Sequence, residues 1–295
     1  MLRAGVVAIS LLAVPAVAAA QGGTDIWVMP LSGQGTTLEV GRPRNLTDRA
    51  GYDNQPQFTA DGRALLYTRI ETSGRSDVWR VAVAGGEPTR VTNTAVEQEY
   101  SPTPMPDGSG FSAIVVEADS TQRLWAYDWN GVPQRVIVPA LEPVGYHVWI
   151  GSDVLGAFVL SQPTPQVPNA LVLMHPQTNR VDTLDRGIER AFARVPGREA
   201  FTYVQRTDST TIVREVDVRT QAKRRVLTGP RGLEYHVWLA DGTLLISGNG
   251  QIWRWADARL TPLVDLRSFG IEGVSRMALS PDGTMLAFVA ADPKP

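Results

Sequence analysis

An all-β chain folded as a six-bladed β-propeller with four-stranded blades is what the sequence predicts, on three observations. A strand, a tight turn carrying Asp or Gly, and a second strand recur along the chain. Their turns at positions 61, 107, 152, 196, 241 and 282 lie 46, 45, 44, 45 and 41 residues apart, the spacing of a four-stranded blade. Each hairpin but the last is followed by a second pair of short strands. The two ends carry complementary halves: an outer pair without an inner one at the start, and an inner pair without an outer one at the finish.

The elements follow in order. Met1-Leu2-Arg3, an apolar run over 4–14, Pro15 and Ala18-Ala19-Ala20 form a secretory signal pattern, too short for the ~20 residues of a membrane span. Cleavage is expected before Gln21, with no cysteine there to be lipidated and no transmembrane segment afterwards. This divides the chain into a signal peptide at 1–20 and one propeller domain at 21–295. Asp25-Ile26-Trp27-Val28-Met29 and Arg44-Asn45-Leu46-Thr47 read as the unpartnered outer pair.

Clear inner hairpins surround Asp61-Gly62, Asp107-Gly108, Asp241-Gly242 and Asp282-Gly283. Asp tolerates and Gly favours a left-handed backbone, as a two-residue hairpin loop requires. Degenerate copies lie at His147–Asp153 and Ala191–Arg198. Asp77-Val78-Trp79-Arg80-Val81, Arg123-Leu124-Trp125-Ala126-Tyr127, 170–173, 211–214 and 251–255 begin the outer pairs. Runs of about five alternating residues favour strands over helices. The terminal inner pair at 277–289 is expected to join the N-terminal outer pair, closing the ring and removing exposed edges.

Composition narrows the function classes. With 28 Lys+Arg against 30 Asp+Glu, the chain lacks the positive charge of a protein that wraps nucleic acid through its phosphates. Without cysteine, it has no disulfide framework, thiolate metal site or cysteine nucleophile. Lys223-Arg224-Arg225 reads as a solvated strand. Gly248-Asn249-Gly250 reads as a hairpin turn. His175 is expected at the surface. Trp27, Trp79, Trp125 and Trp253 recur at one strand position and are expected to pack between blades, with Trp149 and Trp238 also in the core.

Arg90-Val91-Thr92-Asn93-Thr94, Ser101-Pro102 and Pro106-Asp107-Gly108, echoed at Ser280-Pro281-Asp282-Gly283, resemble the repeat of TolB-type β-propellers over residues ~24–290. The resemblance implies a periplasmic or secreted propeller that binds a cell-envelope protein. The α/β domain that stands ahead of the repeats in the family's best-known member is not expected here. The same repeat precedes prolyl-peptidase domains, but neither a following hydrolase domain nor a Gly-x-Ser-x-Gly elbow is expected here.

In such a ring, the segments entering the inner strands converge at one mouth of the central channel. They supply Tyr52, Asp53, Glu99, Tyr100, Tyr146, His147, Glu189, Arg190, Tyr235, His236 and Arg276 as candidate binding residues. The two His lie in matching Tyr-His-Val-Trp contexts. The same groups also suit a structural role, tying neighbouring blades together. The expected function is non-enzymatic binding of a protein or glycan of the cell envelope by a monomer, without cofactor or nucleic acid. The alternative is a metal-dependent lyase or hydrolase acting on a saccharide, with a divalent metal held by His147 and His236 and by Glu99 or Asp53; some pectin-fragment lyases with related repeats use such a metal site.

Overall fold

The computed structural model describes residues 23–161 and 167–292. The expected signal peptide therefore lies outside the described residues. The described chain is all-β apart from two short 3₁₀ turns. Among the described residues no helix is long and apolar enough to cross a membrane.

Pairing gives four separate four-stranded sheets and one nine-stranded sheet, whose four-stranded and five-stranded antiparallel parts are numbered separately below as the first and sixth. The first contains Tyr52–Phe58, Ala64–Ile70, Ser76–Ala82 and Thr89–Arg90. The second contains Gln98–Pro104, Gly110–Val116, Gln122–Asp128 and Pro133–Val136. The third runs through Val144–Trp149, Leu155–Val159, Ala170–His175 and Arg180–Arg186. Phe192–Arg194, Ala200–Arg206, Thr210–Asp217 and Lys223–Pro230 make the fourth. His236–Trp238, Leu244–Gly248, Gln251–Ala256 and Arg259–Asp265 make the fifth. The sixth joins both ends: Ser275–Leu279 and Met285–Ala291 continue into Thr24–Ser32, which also pairs with the short strands Glu39–Val40 and Arg44–Asn45. There Thr24–Ser32 runs antiparallel to Met285–Ala291, from Thr24 opposite Ala291 to Pro30 opposite Met285. One parallel bridge, Thr24 to Tyr52, links the sixth sheet to the first.

The core lies in the seams between sheets. Leu66, Val78, Phe111 and Val115 join the first and second sheets. Ile114, Leu124, Leu155 and Val172 join the second and third. Phe158, Leu171, Phe201 and Tyr203 span the next seam, and Val204, Val213, Leu244 and Ile246 the one after it. Met29, Leu245, Ile252 and Phe288 connect the fifth and sixth sheets. Ile26, Leu65, Tyr67 and Ala287 connect the sixth and first. Each fully buried large side chain contributes about 1.5–3 kcal/mol. Trp27, Trp79, Trp125 and Trp253 pack half-buried against four of these clusters, where the sequence places them. First strands of several neighbouring sheets also touch, including 52–58 with both 98–104 and 275–279.

The Asp-Gly turns differ in detail from the two-residue loops expected. Thr59 N–H donates to the Ala64 carbonyl and Gly62 N–H to the Thr59 carbonyl. The loop thus has four residues, with Gly62 alone left-handed (φ 69°). This is a tight turn followed by a left-handed glycine. Asp61 does not adopt the left-handed backbone. Its carboxylate instead accepts from Thr59 Oγ1 (2.6 Å) and Arg63 N (3.1 Å). Asp282 repeats this with Ser280 Oγ and Thr284 N.

Candidate functional site

The sequence-predicted site lies on or just before the first strand of each sheet, with Glu189, Arg190 and Tyr235 preceding theirs, and its side chains divide into two sets. One set is buried in the seams. Asp53 is 0% exposed and is gripped by Arg49, whose Nε lies 3.2 and 3.0 Å from the two carboxylate oxygens and whose Nη2 lies 2.9 Å from one. Burial raises its pKa and the Arg49 contact opposes the rise. Glu99, also 0% exposed, accepts from Thr94 Oγ1 (2.8 Å), Thr92 Oγ1 (3.3 Å) and Tyr127 Oη (3.4 Å). Burial pushes its carboxyl up to about 7, and the neighbouring Asp77 adds to the rise.

The two histidines have matching surroundings. His147 Nε2 shares a 2.7 Å hydrogen bond with Ser112 Oγ, which also accepts from Trp149 Nε1 at 2.9 Å. His236 Nε2 shares a 2.7 Å bond with Thr202 Oγ1, which accepts from Trp238 Nε1 at 2.9 Å. Both hydroxyls belong to the second strand of the preceding sheet, so each Tyr-His-Val-Trp copy clamps its sheet to that neighbour. Burial holds both rings neutral, with pKa lowered to about 3 for His147 and about 4 for His236.

The other set is half-buried, at or near the cavities lined by Arg276: Tyr52, Tyr100, Tyr146, Tyr235 and Arg276 itself. The Arg276 guanidinium carbon lies 5.6 Å from the Tyr146 ring centroid and 5.3 Å from that of Tyr235, within cation–π reach. Burial keeps the phenols protonated, pushing Tyr235 up to about 12 and raising Tyr52 and Tyr146 against the opposing charge of Arg276. Tyr52, Tyr100, Arg190 and Arg276 line one cavity of about 340 Å³ with Gln55 and Gln122. Tyr146 reaches an adjoining cleft with Arg276 and Gln55. Arg190 is exposed and lies over the Phe158 ring at 5.6 Å. Glu189 faces Arg206 at 3.6 Å. Asp53, Glu99, His147 and His236 are not among the cavity-lining residues, because each is drawn into a seam by a partner.

Two further channel features have little sequence signal. The register slips between Asn54 and Gln57, between Tyr100 and Thr103, and between Ser275 and Met277. Gln55, Ser101 and Arg276 sit in these bulges with φ of 61°, 52° and 25°. A bulge re-aims a side chain, and a left-handed non-glycine residue costs of order 1–3 kcal/mol. Gln55 Oε1 accepts from Thr68 Oγ1 and from Ser101 N, both at 2.7 Å, which ties the first sheet to the second. Pro56 and Pro102, each following a bulged residue, are the only local hint. His175, the third histidine, is partly exposed beside Asp182 at 3.7 Å. Lys223, Arg224 and Arg225 are exposed.

No family model matches the chain. An uncharacterized protein of Agrobacterium fabrum (strain C58) is 29% identical over 82 residues, which are 28% of this chain. That match spans only 27% of the relative's length. Among solved structures, one assigned to TolB from Agrobacterium tumefaciens aligns with TM-score 0.70 at 14% identity, over 92% of this chain and 99% of that one. A gluconolactonase from Xanthomonas campestris aligns at 0.62 and 12% identity, over 89% and 94%. An oligogalacturonate lyase in complex with manganese aligns at 0.55 and 15% identity, over 87% and 82%. At these identities the likeness is one of fold, and together with the sheet pattern it gives the chain a β-propeller-like fold.

Proposed function

We propose that the chain is an exported, six-bladed TolB-type propeller, its ring closed through the joined sheet of the two chain ends. It acts as a monomeric, non-enzymatic binding module of the cell envelope, in the periplasm or outside the cell. Its ligand is a protein or glycan taken at the channel mouth by Tyr52, Tyr100, Tyr146, Tyr235, Arg190 and Arg276, with Glu189 at the rim. Asp53, Glu99, His147 and His236 hold this mouth from behind. One observation carries the reading: half-buried Tyr52, Tyr100 and Arg276 and the exposed Arg190 line a cavity of about 340 Å³, whereas Asp53, Glu99 and the Nε2 atoms of His147 and His236 are engaged by neighbouring side chains. Tyr and Arg are the residues that anchor partners in desolvated pockets. Capture from envelope extract, comparing wild type with Tyr146→Ala and Tyr235→Ala, tests it. A partner held equally by all three proteins would count against the mouth.

A second reading, a metal-dependent lyase or hydrolase on a saccharide, is favoured by the fold likeness to the manganese-bound lyase and the lactonase. The donor set fits it poorly. His147 and His236 both turn Nε2 to a hydroxyl at 2.7 Å. Among the described residues no three His, Asp or Glu side chains form a group that could hold a metal. Metal analysis of purified protein separates the readings: stoichiometric metal lost in both His147→Ala and His236→Ala would favour the enzyme.

A further inference from the structure

The channel leaves positive charge uncompensated. Arg276 sits on a bulge, flanked by the rings of Tyr146 and Tyr235. Its Nη1 is buried with no hydrogen-bond partner, although a guanidinium carries five donors and buried donors are rarely left unpaired. The carboxylate whose charge reaches it, Glu234, is engaged by Arg206 Nη2. Arg206 also faces Glu189, so one arginine at the rim answers two acids, while among the described residues neither Arg190 nor Arg276 forms an ion pair. Both line the same cavity, with Tyr52, Tyr100, Gln55 and Gln122, and no Asp or Glu lines it.

We propose that this cavity is an anion-recognition site that seats a carboxylate of an acidic peptide segment between Arg276 and Arg190. The inference rests on the channel mouth being the binding site and names the chemistry of what it takes. A planar guanidinium whose Nη1 lacks a partner matches a carboxylate in geometry as well as in charge. Flanking phenols and amides then satisfy the remaining oxygen lone pairs. The cavity lies near the small end of ligand pockets, suited to one acidic side chain or a chain terminus rather than a run of sugars. Its Tyr and Arg composition is that of protein–protein anchor points.

The test uses N-acetyl-glutamate amide as the probe and N-acetyl-glutamine amide as its neutral twin, read by NMR of the arginine Nε–H groups. Saturable shifts with the glutamate probe alone are expected, weakening as salt rises. Arg276→Met and Arg190→Met should each weaken binding by ~10-fold or more, and Arg276→Lys should recover only part of the loss. An equal response to the glutamine probe, no saturable response, or indifference to both arginine variants would overturn the proposal. Should Arg276→Met fail to fold, Arg190→Met carries the test, since that side chain is exposed. Glucuronate binding at Arg276 more tightly than the glutamate probe would overturn the peptide assignment in favour of an acidic glycan. An envelope partner lost in Tyr146→Ala and Tyr235→Ala, but indifferent to both arginine variants, would leave the mouth standing and remove the anion. Indifference to all four variants would remove the mouth itself.

Discussion

The seam side and the channel side of the inner strands are made from adjacent residues, yet their surroundings differ. His147 and His236 are buried against the hydroxyls of Ser112 and Thr202. Their sequence neighbours Tyr146 and Tyr235 stand half-buried around Arg276. On the seam side Asp53, Glu99 and the Nε2 atoms of both histidines have partners, although His147 Nδ1, Tyr67 Oη and Trp79 Nε1 are buried without one. On the channel side a guanidinium nitrogen is buried without one, and three non-glycine residues adopt left-handed backbone. The cross-sheet hydrogen bonds tie neighbouring sheets together, and the bulged, strained segment around Arg276 is where ligand binding is proposed.

The largest effect should come from the seam that joins the chain ends. Deleting residues 24–48 removes Ile26, Val28, Met29 and Leu31, all buried. At about 1.5–3 kcal/mol for each, that loss rivals the whole stability of a typical domain. It also bares the edge of Met285–Ala291, so unfolding or oligomerisation is expected by melting and size-exclusion chromatography. A monomer with an unchanged melting curve would contradict the pairing.

Titration of buried groups offers a finer comparison. Both histidines have folded pKa values below the unfolded 6.5. Their contribution is complete above pH 6.5 and is lost as pH falls toward 3–4, about 2 kcal/mol per ring between pH 7 and 5. Glu99 has the opposite sign. Its folded pKa of about 7 lies above the ordinary 4.5 of an exposed glutamate, so its contribution is present below 4.5 and is lost as pH rises through 7. The two trends offset one another between pH 5 and 7. Glu99→Gln removes the offset, so denaturant titrations should show a steeper loss on acidification, by about 2 kcal/mol. An identical pH profile in the variant would refute the assignment.

Ser112→Ala and Thr202→Val should each cost about 1–3 kcal/mol, because each leaves a buried histidine and a tryptophan N–H without their shared hydroxyl. Tyr100→Phe, on the channel side, removes only the bond from its hydroxyl to Gln98 Oε1 (2.8 Å) and should cost under about 1 kcal/mol. Equal costs for seam and channel variants in chemical denaturation would dissolve the distinction. The smallest effect is on processing: exported protein should begin at Gln21 by intact mass, with stability unaltered.

The all-β class and the run of antiparallel four-stranded units were legible in the sequence, because Asp-Gly turns and Trp positions repeat with the hairpins. The pairing of Thr24–Ser32 with Met285–Ala291 was legible as well, since each end lacked half a unit. The division within the candidate site was not. Tyr-His-Val-Trp places Tyr and His on opposite faces of a strand, but which face meets the channel depends on register. That register is reset by bulges at Gln55, Ser101 and Arg276, marked at most by a following proline. The hydroxyl partners Ser112 and Thr202 lie about 35 residues before their histidines, inside ordinary strand sequence. His147→Ala and His236→Ala should therefore destabilise the fold, because both rings are buried and bonded across a seam.

The central claim is that the channel face binds and the seam face supports. The direct measurement is the affinity of a purified envelope partner for wild type, Arg276→Lys, Tyr235→Phe and Ser112→Ala, with the folded fraction of each verified by near-ultraviolet circular dichroism. The account predicts weaker binding for the two channel variants at nearly unchanged stability. Ser112→Ala should be less stable but bind normally while folded. Unchanged affinity in both channel variants, or a loss confined to Ser112→Ala, would contradict it.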